Sequence, residues 1–207
     1  MSAISSMPPM ALPAVPIRIP SPLYRMTLEK YESLIASGVF NKRDRVHLIN
    51  GYLVTRMSES PSHSAICEII RFAIETFLLA LPTAWHLRGG KPLRIPAQSS
   101  MPEPDLVIVR GERRIYLNRY PEPSDTALVV EVSLSSLDED RALADIYGAS
   151  GVPVYWIVKL VDGQVEVYTD PGPAGYRSHE VLAAGHALRV VLDGVEVGEI
   201  AVADILP

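Results

Sequence analysis

Residues 126–133 read TALVVEVS, and this stretch decides how the rest of the chain is interpreted. Its apolar residues are mostly β-branched and follow one another without alternation, which predicts a central β-strand covered on both faces. Glu131 lies inside this run, where an isolated carboxylate would be desolvated at a cost of several kcal/mol. Three things could offset that cost: a buried ion pair, solvent at the end of the strand, or a bound metal ion.

The residues before this strand predict two helices, a hairpin and short strands. Thr27 is placed to cap a short helix, and Asn50-Gly51 between two apolar runs is a strong signal for a β-hairpin. Apolar residues recur at helical spacing between residues 62 and 81, which predicts a long amphipathic helix. The segments WHLRG (85–89) and PLRI (92–95) are expected to be strands.

The order of the remaining elements indicates the fold class. An apolar run, DLVIVR (105–110), precedes the central strand, and a helix with an acidic first turn is predicted over 137–150. Asp162-Gly163 predicts a second hairpin, and the tail from 176 to 207 is expected to form short strands. Helices and strands in this order predict an α/β or α+β fold, with a mixed sheet packed against at least two helices.

Composition and charge limit the classes of protein to consider. The 207 residues suit a single domain, expected over 26–207 after a disordered proline-rich arm over 1–25. The net charge of −5 argues against a broad basic surface that coats nucleic acid. The lone cysteine, Cys67, excludes an internal disulfide, so we expect a cytoplasmic protein. We expect Cys67 itself to be a small core residue. We expect no contact with a membrane, since no apolar run reaches the ~18 residues of a span.

Three residues are candidates for a functional site. Asp105 lies where the proline-restricted loop PEP enters an apolar strand, which fixes its carboxylate at the edge of the sheet. Glu131 shares one face of its strand with Val129 and Ser133, because side chains alternate along a strand. His63 lies at the start of the long helix on the side that faces the core.

Two carboxylates at neighbouring strand ends would form an oxygen-rich site suited to Mg²⁺ or Mn²⁺. A bound cation would neutralise Glu131 and could activate a water molecule against a phosphodiester. From the spacing alone, Asp105 and Glu131 could also be unrelated. For His63, an ordinary histidine at a helix start is the simpler interpretation.

The ordered motifs RVHLINGYLV, SPSHSAI, PEPDLVIV, LVVEVSLSSL and YGASGVPVYWIV resemble the Uma-type family of putative restriction endonucleases. This family belongs to the PD-(D/E)XK nuclease superfamily, and the resemblance covers roughly residues 27–207. It implies a restriction-endonuclease-like mixed β-sheet flanked by helices, with β-hairpin additions near both ends of the chain. It also implies a metal-dependent DNA endonuclease. Because cutting a duplex takes two cuts, a homodimer is plausible.

The resemblance implies a role for each candidate. Asp105 matches the aspartate of the PD motif and Glu131 the acidic residue of the second half-motif, and both would bind Mg²⁺ or Mn²⁺. His63 matches a family histidine that could hold a water molecule or a phosphate.

The chain departs from the family pattern at three positions. Ser133 stands where the superfamily has lysine, and Leu143 stands where family members often carry a basic residue. His47 fills a hairpin position that is usually acidic. The nearest basic residue is Arg141, which could stabilise charge on the phosphate but is a poor base because of its high pKa.

Two other interpretations follow from these departures. The chain could be a catalytically degenerate nuclease fold that binds nucleic acid or a protein without cleavage. It could also be a structural domain in which Glu131 forms a buried ion pair with Arg141. A basic cluster after the Asp105 strand could be a solvated connector or a surface that follows phosphates: Arg110, Arg113, Arg114 and Arg119.

Overall fold

The computed structural model describes residues 23–40, 44–56, 60–81 and 85–206. Within these residues the α-helices are α1 (Leu28–Ala36), α2 (Pro61–Ala80), α3 (Leu137–Ala149) and α4 (Val202–Ile205). The strands are β1 (Val46–Ile49), β2 (Tyr52–Thr55), β3 (Trp85–Gly89), β4 (Leu106–Arg110), β5 (Thr126–Ser133), β6 (Val154–Lys159), β7 (Gln164–Gly172), β8 (Gly175–Ala183), β9 (Ala187–Leu192) and β10 (Val195–Ala201).

Six of these strands form the central sheet, in the order β3-β4-β5-β6-β7-β8. β5 and β6 run parallel and the other neighbours run antiparallel, so the sheet is mixed. The parallel pair needs a crossover connection, and α3 provides it. All eight residues of β5 are buried, which confirms the buried strand predicted from TALVVEVS.

A separate apolar cluster covers each face of the sheet. On one face, Leu128, Val130 and Val132 of β5 belong to a cluster with residues of α2, α4 and the β9–β10 hairpin. On the other face, Val129 of β5 belongs to a cluster with residues of α3, including Tyr147. The alternation predicted for β5 is therefore observed, and Glu131 and Ser133 lie on the α3 side.

The fold class and most predicted elements are confirmed. The β1–β2 hairpin turns at Asn50-Gly51, where both residues have positive φ values of 50° and 80°. β9 and β10 form a two-stranded hairpin near the other end. The strand predicted at 92–95 is wrong: Pro92 has no N–H to donate, and the N–H of Leu93 bonds outside any strand, to Pro102 O.

Two further expectations concern the ends of the chain and membranes. Most of the arm predicted over 1–25 lies outside the described residues, so it stays a prediction. Among the helices that the structure describes, none combines the length and apolar character that crossing a membrane requires.

Candidate active site

Asp105 and Glu131 meet because β4 and β5 are antiparallel. Leu106, at the start of β4, pairs with Val130, near the end of β5, so the residues just beyond this pair face each other. The Asp105 N–H donates to Glu131 Oε2 at 3.1 Å, and the Val132 N–H donates to Asp105 Oδ2 at 2.8 Å. The two carboxyl groups predicted to share a site are therefore neighbours.

Both carboxyl groups are buried, and for Glu131 this burial makes ionisation costly. The exposed fraction is 9% for Asp105 and 6% for Glu131. Burial raises the pKa of Glu131 well above its usual value, and the negative charges of Asp105 and Asp140 raise it further, while Arg56 opposes the shift. Such a pair of oxygen donors fits a hard divalent cation, whose charge would stabilise Glu131 in its ionised form.

His63 contacts the Asp105 carboxylate directly. It lies in the first turn of α2, where its N–H donates to the Ser60 side chain, which caps the helix. Its Nε2 atom is 2.9 Å from Asp105 Oδ2, and its Nδ1 atom is 3.7 Å from the sulfur of Cys67. The structure therefore brings together three of the four residues that the sequence analysis singled out.

Arg56 is a basic residue of this site that the sequence analysis missed. It follows β2 directly, and its guanidinium lies 3.2 Å from Asp105 Oδ1 and 3.5 Å from Glu103 Oε2. Only 20% of its side chain is exposed. The sequence shows only a single arginine at the end of a predicted hairpin. It does not show that the folded hairpin packs beside Asp105.

Asp140 adds a third buried carboxyl group. It lies in the acidic first turn predicted for α3, where the sequence alone gives it no role in the site. Its pKa rises to about 6, chiefly because of burial, although hydrogen bonds from Ser136 and Ser133 oppose the rise. The Ser136 hydroxyl donates to Asp140 Oδ2 at 2.7 Å.

These groups line one cavity of about 550 Å³. Its walls come from the β1–β2 hairpin, the start of α2, the ends of β4 and β5 that meet there, and α3. Several charged or titratable side chains face it: Arg56, His63, Asp105, Glu131, Glu139 and Asp140. Such a volume is typical of a ligand site.

Arg141 lies elsewhere. Its Nε atom donates to Glu166 Oε2 on β7 at 3.1 Å, and a second nitrogen bonds the other carboxylate oxygen. Burial would raise the pKa of Glu166, but hydrogen bonds from Arg141, Tyr168 and Lys159 lower it to about 2. Arg141 is therefore not beside Glu131, and the ion pair between these two residues is not observed.

The structure also shows the surroundings of the three residues that depart from the family pattern: Ser133, Leu143 and His47. Ser133 is buried, pairs in register with Lys159 on β6, and hydrogen-bonds Asp140. Leu143 and His47 line the cavity but supply no positive charge beside the carboxylates. Leu143 is apolar. Burial, and to a lesser degree the charge of Arg56, lowers the pKa of His47 to about 4, so its ring is neutral at pH 7.

The basic cluster beyond β4 is partly neutralised. Arg110 forms an ion pair with Asp193, and Arg119 forms one with Asp125. These pairs favour the interpretation of this segment as a solvated connector.

Comparison with known proteins gives a family match and a similar solved structure. Residues 28–203 match the Uma2 family, which is described as "Putative restriction endonuclease". A crystal structure of a putative nuclease belonging to DUF820 from Anabaena variabilis is similar, with a TM-score of 0.67 and 14% sequence identity over 87% of this chain and 97% of that chain. At this identity the likeness shows a shared fold. No curated protein matches the chain.

Proposed function

The chain belongs to the family of putative restriction endonucleases, and from that premise we propose that it is a DNA endonuclease dependent on Mg²⁺ or Mn²⁺. The observation that carries the proposal is the meeting of Asp105 and Glu131 in a cavity that several charged side chains also line. We further propose that it acts in the cytoplasm, in keeping with its single cysteine.

Asp105 and Glu131 would hold the cation, which supplies Lewis-acid activation of water and of the phosphodiester. His63 orients Asp105 through their 2.9 Å contact and offers its ring to a water molecule or a phosphate oxygen. Tyr147, whose hydroxyl donates to Glu131 Oε1 at 3.3 Å, fixes the second carboxylate from the α3 side.

We assign the charge-stabilising role to Arg56 rather than to Arg141. A guanidinium is permanently charged and binds phosphate oxygens through paired hydrogen bonds, although it cannot act as a base. Arg56 lines the cavity and contacts Asp105, whereas Arg141 is held by Glu166. Arg56 would thus supply the positive charge that the superfamily places at the position of Ser133.

The test combines DNA cleavage with metal binding. We expect Asp105→Asn and Glu131→Gln to lose plasmid cleavage and, by calorimetry, the binding of Mg²⁺ and Mn²⁺. Glu139→Gln is the matched control, because Glu139 is exposed yet lines the same cavity. Circular dichroism checks the fold of each variant. Cleavage that survives in both Asp105→Asn and Glu131→Gln would contradict the proposal.

A second candidate function is a degenerate nuclease fold that binds nucleic acid or a protein without cutting it. The observation that favours it is the absence of a lysine at Ser133 and Leu143. Tight DNA binding without turnover in Mg²⁺, Mn²⁺, Co²⁺ and Ca²⁺ would support this candidate. Turnover in any of these metals that is lost in Glu131→Gln would exclude it.

We also propose a homodimer, and the outer face of α2 supports it. Ile69, Phe72 and Leu79 point away from the core, with exposed fractions of 44%, 76% and 87%. With the exposed Ala65 and Thr76 they follow the alternating spacing of three and four residues that is typical of paired helices.

The area of this face indicates a weak dimer between two copies of the chain. A large side chain has roughly 150–250 Å² of surface to bury, and scaled by these exposed fractions the three large residues offer about 400 Å² per copy. The total of about 800 Å² is below the ~1,200 Å² of a stable specific interface and fits a weak, transient one. Sedimentation equilibrium would detect the dimer, and Phe72→Lys should abolish it. Glu68→Lys, at the charged edge of the helix, is the control. A wild-type protein that stays monomeric at high concentration, with and without DNA, would refute the dimer.

A further inference from the structure

The site contains a donor set that does not consist of oxygen alone. His63, Cys67 and Asp105 each offer one ligand atom, and these three atoms lie within 4.8 Å of one another. His63 and Cys67 are four residues apart on α2, which places them one above the other on the same face of the helix. Asp105 approaches from the start of β4.

We propose that His63, Cys67 and Asp105 form a binding site for a thiophilic divalent cation, Zn²⁺, which shares Asp105 with the pair that would hold Mg²⁺. Thiolate and imidazole ligands select zinc over magnesium, which prefers oxygen. Three protein ligands and one open position are typical of non-structural zinc sites. The composition of the site thus predicts the class of ion.

The three ligand atoms lie within 4.8 Å of one another, so small side-chain movements are needed to reach a tetrahedral site. Asp105 Oδ2 lies 2.9 Å from His63 Nε2, and Cys67 Sγ lies 3.7 Å from Nδ1 of the same ring. Zinc bonds of about 2.0–2.3 Å place neighbouring ligands roughly 3.3–3.6 Å apart in a tetrahedron. The sulfur would move toward Nε2 and Asp105, a movement that side-chain rotation of a half-buried cysteine can supply.

Binding changes the protonation of two ligands. The thiol loses its proton to become the thiolate that binds zinc, and the imidazole nitrogen that binds the ion cannot keep a proton. Zinc binding should therefore release protons and weaken as the pH falls. Magnesium binding at Asp105 and Glu131 uses neither group.

The shared ligand links the two ions. Because zinc would take Asp105, it would compete with the hard cation, and Cys67 would decide how strongly the site prefers zinc. This consequence rests on the proposed nuclease function, whereas zinc binding itself does not.

The experiment uses Co²⁺ as a spectroscopic substitute for zinc on the full chain, in a reductant without thiols. We expect a thiolate-to-cobalt charge-transfer band in the near ultraviolet at one cobalt per chain, and Zn²⁺ should abolish it. Cys67→Ser should lose the band and bind Zn²⁺ at least tenfold more weakly, with Mg²⁺ binding unchanged. Glu131→Gln should keep the band.

Two results would overturn the zinc site: no charge-transfer band in the wild type, or unchanged zinc affinity in Cys67→Ser. A cleavage assay separates this inference from the proposed function. If the chain cuts DNA, micromolar Zn²⁺ should inhibit the Mg²⁺-supported reaction in the wild type and much less in Cys67→Ser. If no metal supports cleavage but the band is present, the nuclease proposal fails and the zinc site stands.

Discussion

Replacement of Asp140 by asparagine should stabilise the protein, although it removes a charge from the first turn of a helix. Asp140 is 7% exposed and lies near Asp105, whose charge adds to the effect of burial. Its pKa is about 6 in the folded protein against 3.8 as the ordinary value. At about 1.36 kcal/mol for each pH unit, ionisation of Asp140 at neutral pH costs the folded state about 3 kcal/mol.

The sign of the pH dependence follows from the raised pKa. Below pH 3.8 the carboxyl group is protonated in both states and costs nothing. Between pH 3.8 and 6 the folded state holds the proton more tightly, so stability falls as the pH rises; above pH 6 the full cost is present. Asparagine never ionises, so the gain of Asp140→Asn should be largest at pH 7.5 and fade toward pH 4.

The assay is urea denaturation in EDTA at several pH values. Asparagine keeps an acceptor for Ser136 but loses the charge on that hydrogen bond, so we expect a net gain of about 1–3 kcal/mol at pH 7.5. Asp138→Asn is the matched control, since Asp138 lies in the same turn but is exposed. Equal effects of the two variants, or a gain for Asp140→Asn that does not depend on pH, would refute the reasoning.

Two further predictions concern α3. Gly148→Ala should destabilise the protein by about 1–3 kcal/mol, measured by urea denaturation, because the new Cβ would lie 2.6 Å from backbone atoms of Gly175 and Tyr176; a gain of the ~1 kcal/mol expected from helix propensity would contradict this contact. Arg141→Ala should cost about 1–3 kcal/mol by removing hydrogen bonds to the buried charge of Glu166, yet leave the rate of DNA cleavage unchanged. A large loss of cleavage in a folded Arg141→Ala protein would return Arg141 to the site.

Local patterns in the sequence are sufficient to predict the strands that carry or adjoin Asp105 and Glu131. The continuous apolar run of β5 predicted a buried strand, and the alternation within it placed Glu131 on one face. In the same way, Asn50-Gly51 predicted the turn between β1 and β2, and the spacing of apolar residues predicted the helix α2. In each case the signal lies within about 20 neighbouring residues, where the periodicity of the chain decides which side chains are buried.

The residues that the sequence analysis missed depend on contacts between distant segments. Arg56 reaches Asp105 across 49 positions of sequence because the β1–β2 hairpin packs over the cavity. Asp140 and Arg141 are neighbours, but successive helical residues point about 100° apart. One therefore faces the cavity and the other faces β7. The rotation of α3 about its own axis determines which of the two residues faces the cavity, and this rotation is set by the packing of α3 on the sheet.

The crossed bonds between Asp105 and the end of β5 turn two backbone amides into reporters. The amide hydrogen of Val132 bonds the Asp105 carboxylate, and the amide hydrogen of Asp105 bonds Glu131. A cation that draws charge from either carboxylate would weaken its hydrogen bond and shift the corresponding NMR amide resonance. Two peaks in a spectrum of the ¹⁵N-labelled chain would thus report, ligand by ligand, which carboxylate each ion engages.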